Sequence, residues 1–292
     1  MSFIAGFEHF IQPDEPLASH TWLRLGGPAQ YLAEPTSPTE LEALVARARD
    51  AGLPVRLLGG GSNVLVRDEG VPGVVVRLTA PAFCEIRVEK QRIIAGGGAK
   101  LGHVISTAVR EGLAGLEQLV GIPGTVGGAL HGNAGTHGGD IGQFTDRAAV
   151  LTRSGKLIQR ERADLHFAYR TSSLDELIIL NAEFALEHEA PQQIARRMQT
   201  LWIVKRAEQP SGNEGNARLF KNPRGGSAAQ MIEQAGLKGA RVGGAEIGNR
   251  SANFVLVHEN AKSSDVLRLL ELVQRQVADR LGVELEREID IW

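Results

Sequence analysis

The sequence contains one cysteine, Cys84. A single thiol excludes an intramolecular disulfide and any cysteine-based zinc site. Its setting between Phe83 and Glu85 has no helix N-terminal character, so Cys84 reads as a buried or incidental thiol. No run of 18 apolar residues occurs, and the opening MSFIAGFEHFIQPDEP lacks a cationic leader followed by an apolar stretch. Neither a membrane span nor a secretion signal is predicted, and a cytoplasmic soluble protein is expected. An excess of one charge is missing too, with 32 basic against 34 acidic side chains and a net charge of -2. That balance speaks against a polybasic nucleic-acid or membrane binder. The histidines form no H-x-x-x-H or H-E-x-x-H pair, so no metal is expected. No G-x-S-x-G elbow of a hydrolase is present.

Glycine is what the chain has in excess: 35 of 292 residues, about 12% against a typical ~7%. With no G-X-Y period and plentiful aliphatics, the excess belongs to neither collagen nor a disordered tract. Residues 121–139 read GIPGTVGGALHGNAGTHGG, with eight glycines in 19 positions. A second cluster, Gly59-Gly60-Gly61-Ser62-Asn63, follows a buried strand pattern. Such runs bare successive backbone N–H groups to a phosphate and let the main chain approach a flat ligand. Neither matches G-x-G-x-x-G opening a helix, nor G-x-x-x-x-G-K-[ST], so Rossmann and P-loop sites are disfavoured. The chemistry points to a phosphate-bearing cofactor without naming it.

Along the chain, Ser37-Pro38-Thr39-Glu40 has the form of a capping box, with Leu41, Leu44, Val45 and Ala48 at helical spacing and Gly52 as the stop. Leu101, Val104, Ile105, Ala108 and Val109 predict a second helix, after a third glycine run at 96–98. Short strands are predicted at 55–58, 64–66, 74–78, 86–88, 93–95, 148–152, 156–159 and 177–186. Further helices are expected from Pro191, over 227–235 and over 263–281. Strands are expected at 253–258 and 284–292, and a polar loop at 209–216. The whole reads as an α+β protein with a boundary near 190–212.

Six motifs then occur in a familiar order: Thr21-Trp22-Leu23-Arg24-Leu25-Gly26-Gly27; residues 59–66; residues 121–129 followed by Asn133-Ala134-Gly135; Phe167-Ala168-Tyr169-Arg170-Thr171-Ser172; Phe220-Lys221-Asn222-Pro223; and Leu285-Glu286-Arg287-Glu288. In this order they resemble the UDP-N-acetylenolpyruvoylglucosamine reductase (MurB) family over roughly residues 17–291. The short run from Arg170 to Leu180 resembles the family's shorter type, which lacks an extra substrate-covering loop.

The resemblance implies an FAD-binding domain of the vanillyl-alcohol oxidase (PCMH) type at 17–190, in two α/β lobes divided near residue 80. A C-terminal α+β substrate domain is implied at 205–292. The implied reaction uses NADPH and FAD to reduce the enolpyruvyl group of UDP-N-acetylglucosamine enolpyruvate to UDP-N-acetylmuramate, for peptidoglycan synthesis. The partner is then a UDP-sugar, with no nucleic acid or membrane, and a monomer is expected. FAD would be bedded by Gly59, Gly60, Gly61, Ser62, Asn63, Gly121, Pro123, Gly124, Thr125, Gly127, Gly128, Asn133 and Gly135. Arg170 matches the family's arginine that holds and polarises the enolpyruvyl carboxylate, and Glu288 matches its catalytic glutamate. Lys221 and Asn222 are expected at the substrate's phosphates or the nicotinamide cofactor. On a strand, Glu284, Glu286 and Glu288 would share one face.

The chain also departs from the family's pattern. Where the family places a proton-donating serine, in Gly-Ser-x-Phe-Lys-Asn-Pro, this sequence has Arg218 counting back from Phe220-Lys221; counting forward from Gly215-Asn216-Ala217 the loop is one residue short, and either way the serine is absent. An arginine is not deprotonated in proteins, so Arg218 is expected to supply charge while a water oriented by Glu288 delivers the proton. Gly248 and Ser251 also stand where serine and histidine are usual. Two other readings remain at this stage. One is an FAD oxidase or dehydrogenase of the same cofactor fold, against which residues 220–223 and 285–288 speak. The other is a catalytically silent flavin- or UDP-sugar-binding protein, against which Arg170 and Glu288 speak.

Overall fold

The computed structural model describes residues 3–136, 138–209 and 215–292. The chain divides into two compact units, each discontinuous in sequence. The first holds residues up to Glu15, Gln30–Gly60 and Pro72–Val204; the second holds Pro16–Ala29, Gly61–Val71 and Lys205–Trp292.

The first unit has two hydrophobic clusters. One lies between the helix Pro38–Asp50 and a four-stranded sheet ordered Ile11–Pro16, Pro28–Ala33, Val71–Val76, Val55–Leu57. Leu41, Leu44, Val45 and Ala48 supply the buried face of that helix, as their spacing predicts. Its N-terminus is capped twice. The Glu40 amide donates to Ser37 Oγ at 3.3 Å, and the Glu40 carboxylate reaches back to the Thr36 amide at 2.7 Å. The other cluster lies under a five-stranded antiparallel sheet, Leu157–Glu161, Thr145–Leu151, Ile178–Ala185, Arg92–Gly96, Ile86–Glu89. The helices Leu101–Arg110 and Val126–His131 pack there.

The second unit is built on an antiparallel sheet ordered Asn216–Arg218, Phe254–Val257, Ala245–Ile247, Arg241–Val242. The helix Ser263–Leu281 turns Val266, Leu269, Leu270, Val273 and Val277 into its core, each burial contributing roughly 1.5–3 kcal/mol before entropy. Leu23, Leu25 and Leu65 are buried in the same core. Those three side chains explain why residues 16–29 and 61–71 belong with the C-terminal unit despite their place in the sequence. Among the described residues, no helix is long and apolar enough to cross a membrane.

Several elements differ from the sequence reading. Ile11–Pro16 and Pro28–Ala33 are strands that the periodicity does not announce. The first lies at a sheet edge, where IQPDEP is tolerated because prolines need donate nothing there. Residues 284–292 are not one strand: only Asp290–Ile291 forms a ladder, parallel to Val64–Leu65. Arg287 is exposed between the buried Leu285 and Ile289, and the Glu288 side chain is 12% exposed against 73% for Glu286, so the alternation that would align Glu284, Glu286 and Glu288 is broken. Of the loop expected at 209–216, residues 210–214 lie outside the described residues, and Asn216 already begins a strand.

Candidate active site

In the first unit the glycine runs are packed against one another. A Cβ on Gly60 would sit 2.6 Å from Gly124 Cα, and one on Gly59 would sit 2.7 Å from Thr125 Oγ1. Only hydrogen fits at this crossing. Gly124 itself has φ 105, a conformation L side chains rarely adopt. The run 96–98, which the sequence reading left off the site, forms the third wall. The Gly127 amide donates to Gly97 O at 2.8 Å, Val126 to Ala99 O at 2.9 Å, and Leu101 to Gly124 O at 3.1 Å. Thr125 then caps the helix Val126–His131, its Oγ1 accepting from the Gly128 amide at 3.3 Å. Gly59, Gly60, Gly124, Thr125, Gly127 and Gly128 are thus parts of one backbone-walled surface, and no contact among the described residues brings Gly121 or Pro123 to it. Its glycines leave main-chain groups uncovered by side chains, which suits a pyrophosphate and a flat ring. The residues present fit FAD.

Gly61, Ser62 and Asn63 fall in the second unit. There Gly61 O accepts from the Trp22 amide at 2.9 Å. The Asn63 side chain donates to Glu288 O at 2.9 Å, and Asn63 O accepts from the Asp290 amide at 3.0 Å. Asn63 therefore fixes the backbone that carries Glu288.

Arg218 ends the strand Asn216–Arg218, opposite Phe254. Beyond it the chain runs antiparallel to residues 286–289: the Glu288 amide donates to Leu219 O at 2.8 Å, the Lys221 amide to Glu286 O at 2.9 Å, and Phe220 bridges Arg287. This pairing brings Arg218 Nε to 3.1 Å from Glu288 Oε2, with the side chains 31% and 12% exposed. The contact is an ion pair and not an aligned hydrogen bond. Lys221 Nζ instead meets Glu286 at 2.5 Å. Glu288 and Glu286 therefore do not crowd one another: each meets its own cation. Asn222 accepts from the Ala228 amide at 3.1 Å, at the start of the helix Ala228–Gln234. Asn253, absent from the sequence reading, holds both backbone groups of Phe220. Its Oδ1 accepts from the Phe220 amide at 2.9 Å, and its Nδ2 donates to Phe220 O at 2.7 Å. A lone buried asparagine in a strand pattern was the available signal.

Arg170 belongs to the first unit, in the hairpin joining Phe167–Ala168 to Thr171–Ser172. Its φ is 56, its Nη1 donates to Gly135 O at 3.1 Å, and its guanidinium lies 5.6 Å from the Tyr169 ring centre. Gly135 and Asn133 thus lie on the segment against which Arg170 is held. Asn133 is buried, with its amide turned to Ala168 and Gly142.

Residues 29–160 match the family model described as FAD binding domain. Phl p 4, a grass pollen allergen with glucose dehydrogenase activity, shares the fold at a TM-score of 0.51 and 13% identity, over 97% of this chain and 63% of that one. The glycine-walled surface and this fold define a flavoprotein of the PCMH type with an added C-terminal unit. That added unit carries the finer identification. Residues 209–292 match the model described as UDP-N-acetylenolpyruvoylglucosamine reductase, C-terminal domain. The UDP-N-acetylenolpyruvoylglucosamine reductase of Rhodopirellula baltica is 38% identical over 284 residues, covering 97% of this chain and 93% of that protein. The reductase 2 of the same name from Symbiobacterium thermophilum is 41% identical, covering 97% and 92%. The crystal structure of the MurB enzyme from Thermus caldophilus matches with a TM-score of 0.81 at 35% identity, over 97% of this chain and 98% of that one. The chain belongs to the UDP-N-acetylenolpyruvoylglucosamine reductase family.

Proposed function

We propose that this protein is the NADPH-dependent flavoenzyme that reduces UDP-N-acetylglucosamine enolpyruvate to UDP-N-acetylmuramate, a peptidoglycan precursor, in the cytoplasm. The observation that carries this reading is the pairing of residues 219–221 with 286–289, which joins the two substrate-half motifs around Arg218 and Glu288. FAD, held by the glycine walls of the first unit, supplies hydride transfer between the nicotinamide and the enolpyruvyl group. Everything else asked of the chain is electrostatic and positional.

Hydride added at C3 of the enolpyruvyl group leaves negative charge over C2 and the carboxylate. Fixed cations lower the energy of that charge because they need no reorganisation as it develops. Arg170 has the planar, two-pronged geometry that suits the carboxylate. Arg218 adds a second cation but no proton, since a guanidinium is not an acid at working pH. Glu288, 3.1 Å from Arg218, orients a water that gives its proton to C2 and is reprotonated from solvent. Two electrons and one hydrogen thus arrive at C3 and one proton at C2, which saturates the double bond. Lys221 serves the substrate's phosphates, its charge now shared with Glu286.

Steady-state oxidation of NADPH by the purified yellow protein tests the proposal. Oxidation that depends on UDP-N-acetylglucosamine enolpyruvate is expected. A flavoprotein whose NADPH oxidation is unaffected by this compound is something else.

A further inference from the structure

Asn133 bonds two separate segments with one buried side chain. It is 2% exposed, its Nδ2 donates to Ala168 O at 2.8 Å, and its Oδ1 accepts from the Gly142 amide at 3.2 Å. Its φ of 41 lies in the left-handed region, which asparagine tolerates better than other L side chains with a Cβ. The amide is thereby committed to the protein at both ends. What it holds is the hairpin bearing Arg170. Each strand of that hairpin has only two residues, Phe167 facing Ser172 and Ala168 facing Thr171. A hairpin so short has little stability of its own, and Arg170 within it sits at φ 56, an uncommon conformation for an arginine. Its position must come from what it is tied to.

The ties converge on the segment around Asn133. Ser172 Oγ donates to His131 O at 3.0 Å, and Arg170 Nη1 donates to Gly135 O at 3.1 Å. Gly142, whose amide donates to the asparagine, lies directly under the first hairpin strand: a Cβ there would fall 2.2 Å from Phe167 Cγ. Gly142 O is in turn held by Arg162 Nη1 at 2.8 Å. Asn133 is thus bonded to the hairpin strand through Ala168 and to the floor beneath that strand through Gly142.

We infer that Asn133 is a positioning residue: it couples the segment after the helix Val126–His131 to the Arg170 hairpin and sets where Arg170 meets the substrate's carboxylate. The inference rests on the function proposed above. It reassigns the asparagine side chain from holding the cofactor to aiming the arginine.

The test compares two ligands that differ in that carboxylate. UDP-N-acetylglucosamine enolpyruvate carries it and UDP-N-acetylglucosamine does not. Dissociation constants of both are read from the flavin absorbance of the wild-type protein, N133D, N133S and S172A. N133D keeps the shape and the acceptor but sets an oxygen against Ala168 O. Misplacing the arginine is expected to weaken the enolpyruvate ligand by about 10- to 100-fold. UDP-N-acetylglucosamine should change by less than about threefold, well under the tenfold that 1.4 kcal/mol produces. S172A removes a half-buried tie outside the clamp and should move the same ratio by about threefold, within what one hydrogen bond contributes. N133S, which removes the amide without adding a charge and should shift the ratio the same way, keeps the inference open to refutation if N133D does not fold. Equal weakening of both ligands, or an unchanged ratio in the variants that fold, overturns the role of Asn133. A wild-type protein that shows no preference for the enolpyruvate ligand counts instead against the proposed function.

Discussion

Arg218 Nε lies 3.1 Å from Glu288 Oε2, at the point where residues 219–221 run antiparallel to 286–289. The arginine stands where the family's pattern calls for a proton-donating serine, and the glutamate it meets is the one that pattern assigns to catalysis. At that position a fixed charge is held against a carboxylate.

Arg218→Ala removes a cation from the developing enolate and should lower kcat by about 10- to 1,000-fold, the range for losing one preorganised donor. Flavin content should be unaltered, because the glycine walls are held by their own main-chain bonds, in which Arg218 takes no part. Arg218→Ser returns a hydroxyl at the same position and should be faster than the alanine variant. Normal turnover by Arg218→Ala would remove Arg218 from the mechanism.

Glu288→Gln keeps the side chain's volume but abolishes both the ion pair and the water-orienting charge. A loss of about 100- to 10,000-fold in kcat is expected, as for a general acid–base group. The loss should fall on the step that consumes the enolpyruvate and spare flavin reduction by NADPH. Stopped-flow traces of the two steps separate these outcomes, and equal slowing of both would contradict the assignment.

Gly60→Ala places a methyl group 2.6 Å from Gly124 Cα. Both partners are main chain, so one loop must shift, at a cost of about 1–3 kcal/mol. The purified variant should carry less FAD and melt at a lower temperature than the wild-type protein. Wild-type flavin occupancy and Tm would show that the two loops do not cross as described.

On the acid side, Glu40 gives a pH signature. The His9 hydrogen bond, and then the Thr36 amide and hydroxyl, lower its carboxyl from an ordinary 4.5 to about 2. A folded-state value below the unfolded one means that the stabilisation is complete above pH 4.5 and is lost as pH falls toward 2. The Tm difference between the wild-type protein and Glu40→Gln should therefore be largest above pH 5 and shrink steadily below about pH 4.5. A difference independent of pH across that window would mean that Glu40 contributes no charge to the cap.

Much of this was legible in the sequence because it depends on local pattern. Ser37-Pro38-Thr39-Glu40 announces the first helix, and the apolar faces of 101–110 and 263–281 announce two more. The glycine clusters at 59–61 and 121–128 announce a close approach of backbones. The run 96–98 carried the same signal, but its partner Gly127 is distant in sequence, so only the fold shows that it is a third wall. Motif order brought Arg218 and Glu288 into one hypothesis, whereas their contact depends on the bridge between Phe220 and Arg287. The direction of a side chain was the least visible feature. Asn63 and Asn133 occupy motif positions beside glycine, yet their amides turn to Glu288 O and to Ala168 O. That choice is made by backbone arriving from more than 30 residues away. The strand expected at 284–292 failed for a related reason: residues 286–289 bond to 219–221 whereas 290–291 pair with 64–65, and these distant neighbours decide which carboxylate meets which cation.

The most direct measurement is made without air. The protein is first reduced with one equivalent of NADPH, which bleaches the flavin, and is then mixed with UDP-N-acetylglucosamine enolpyruvate. The account predicts that the oxidised flavin spectrum returns in a single turnover and that UDP-N-acetylmuramate forms in equal amount. UDP-N-acetylglucosamine should leave the spectrum bleached. Reduced flavin that persists in the presence of the enolpyruvate would contradict the account.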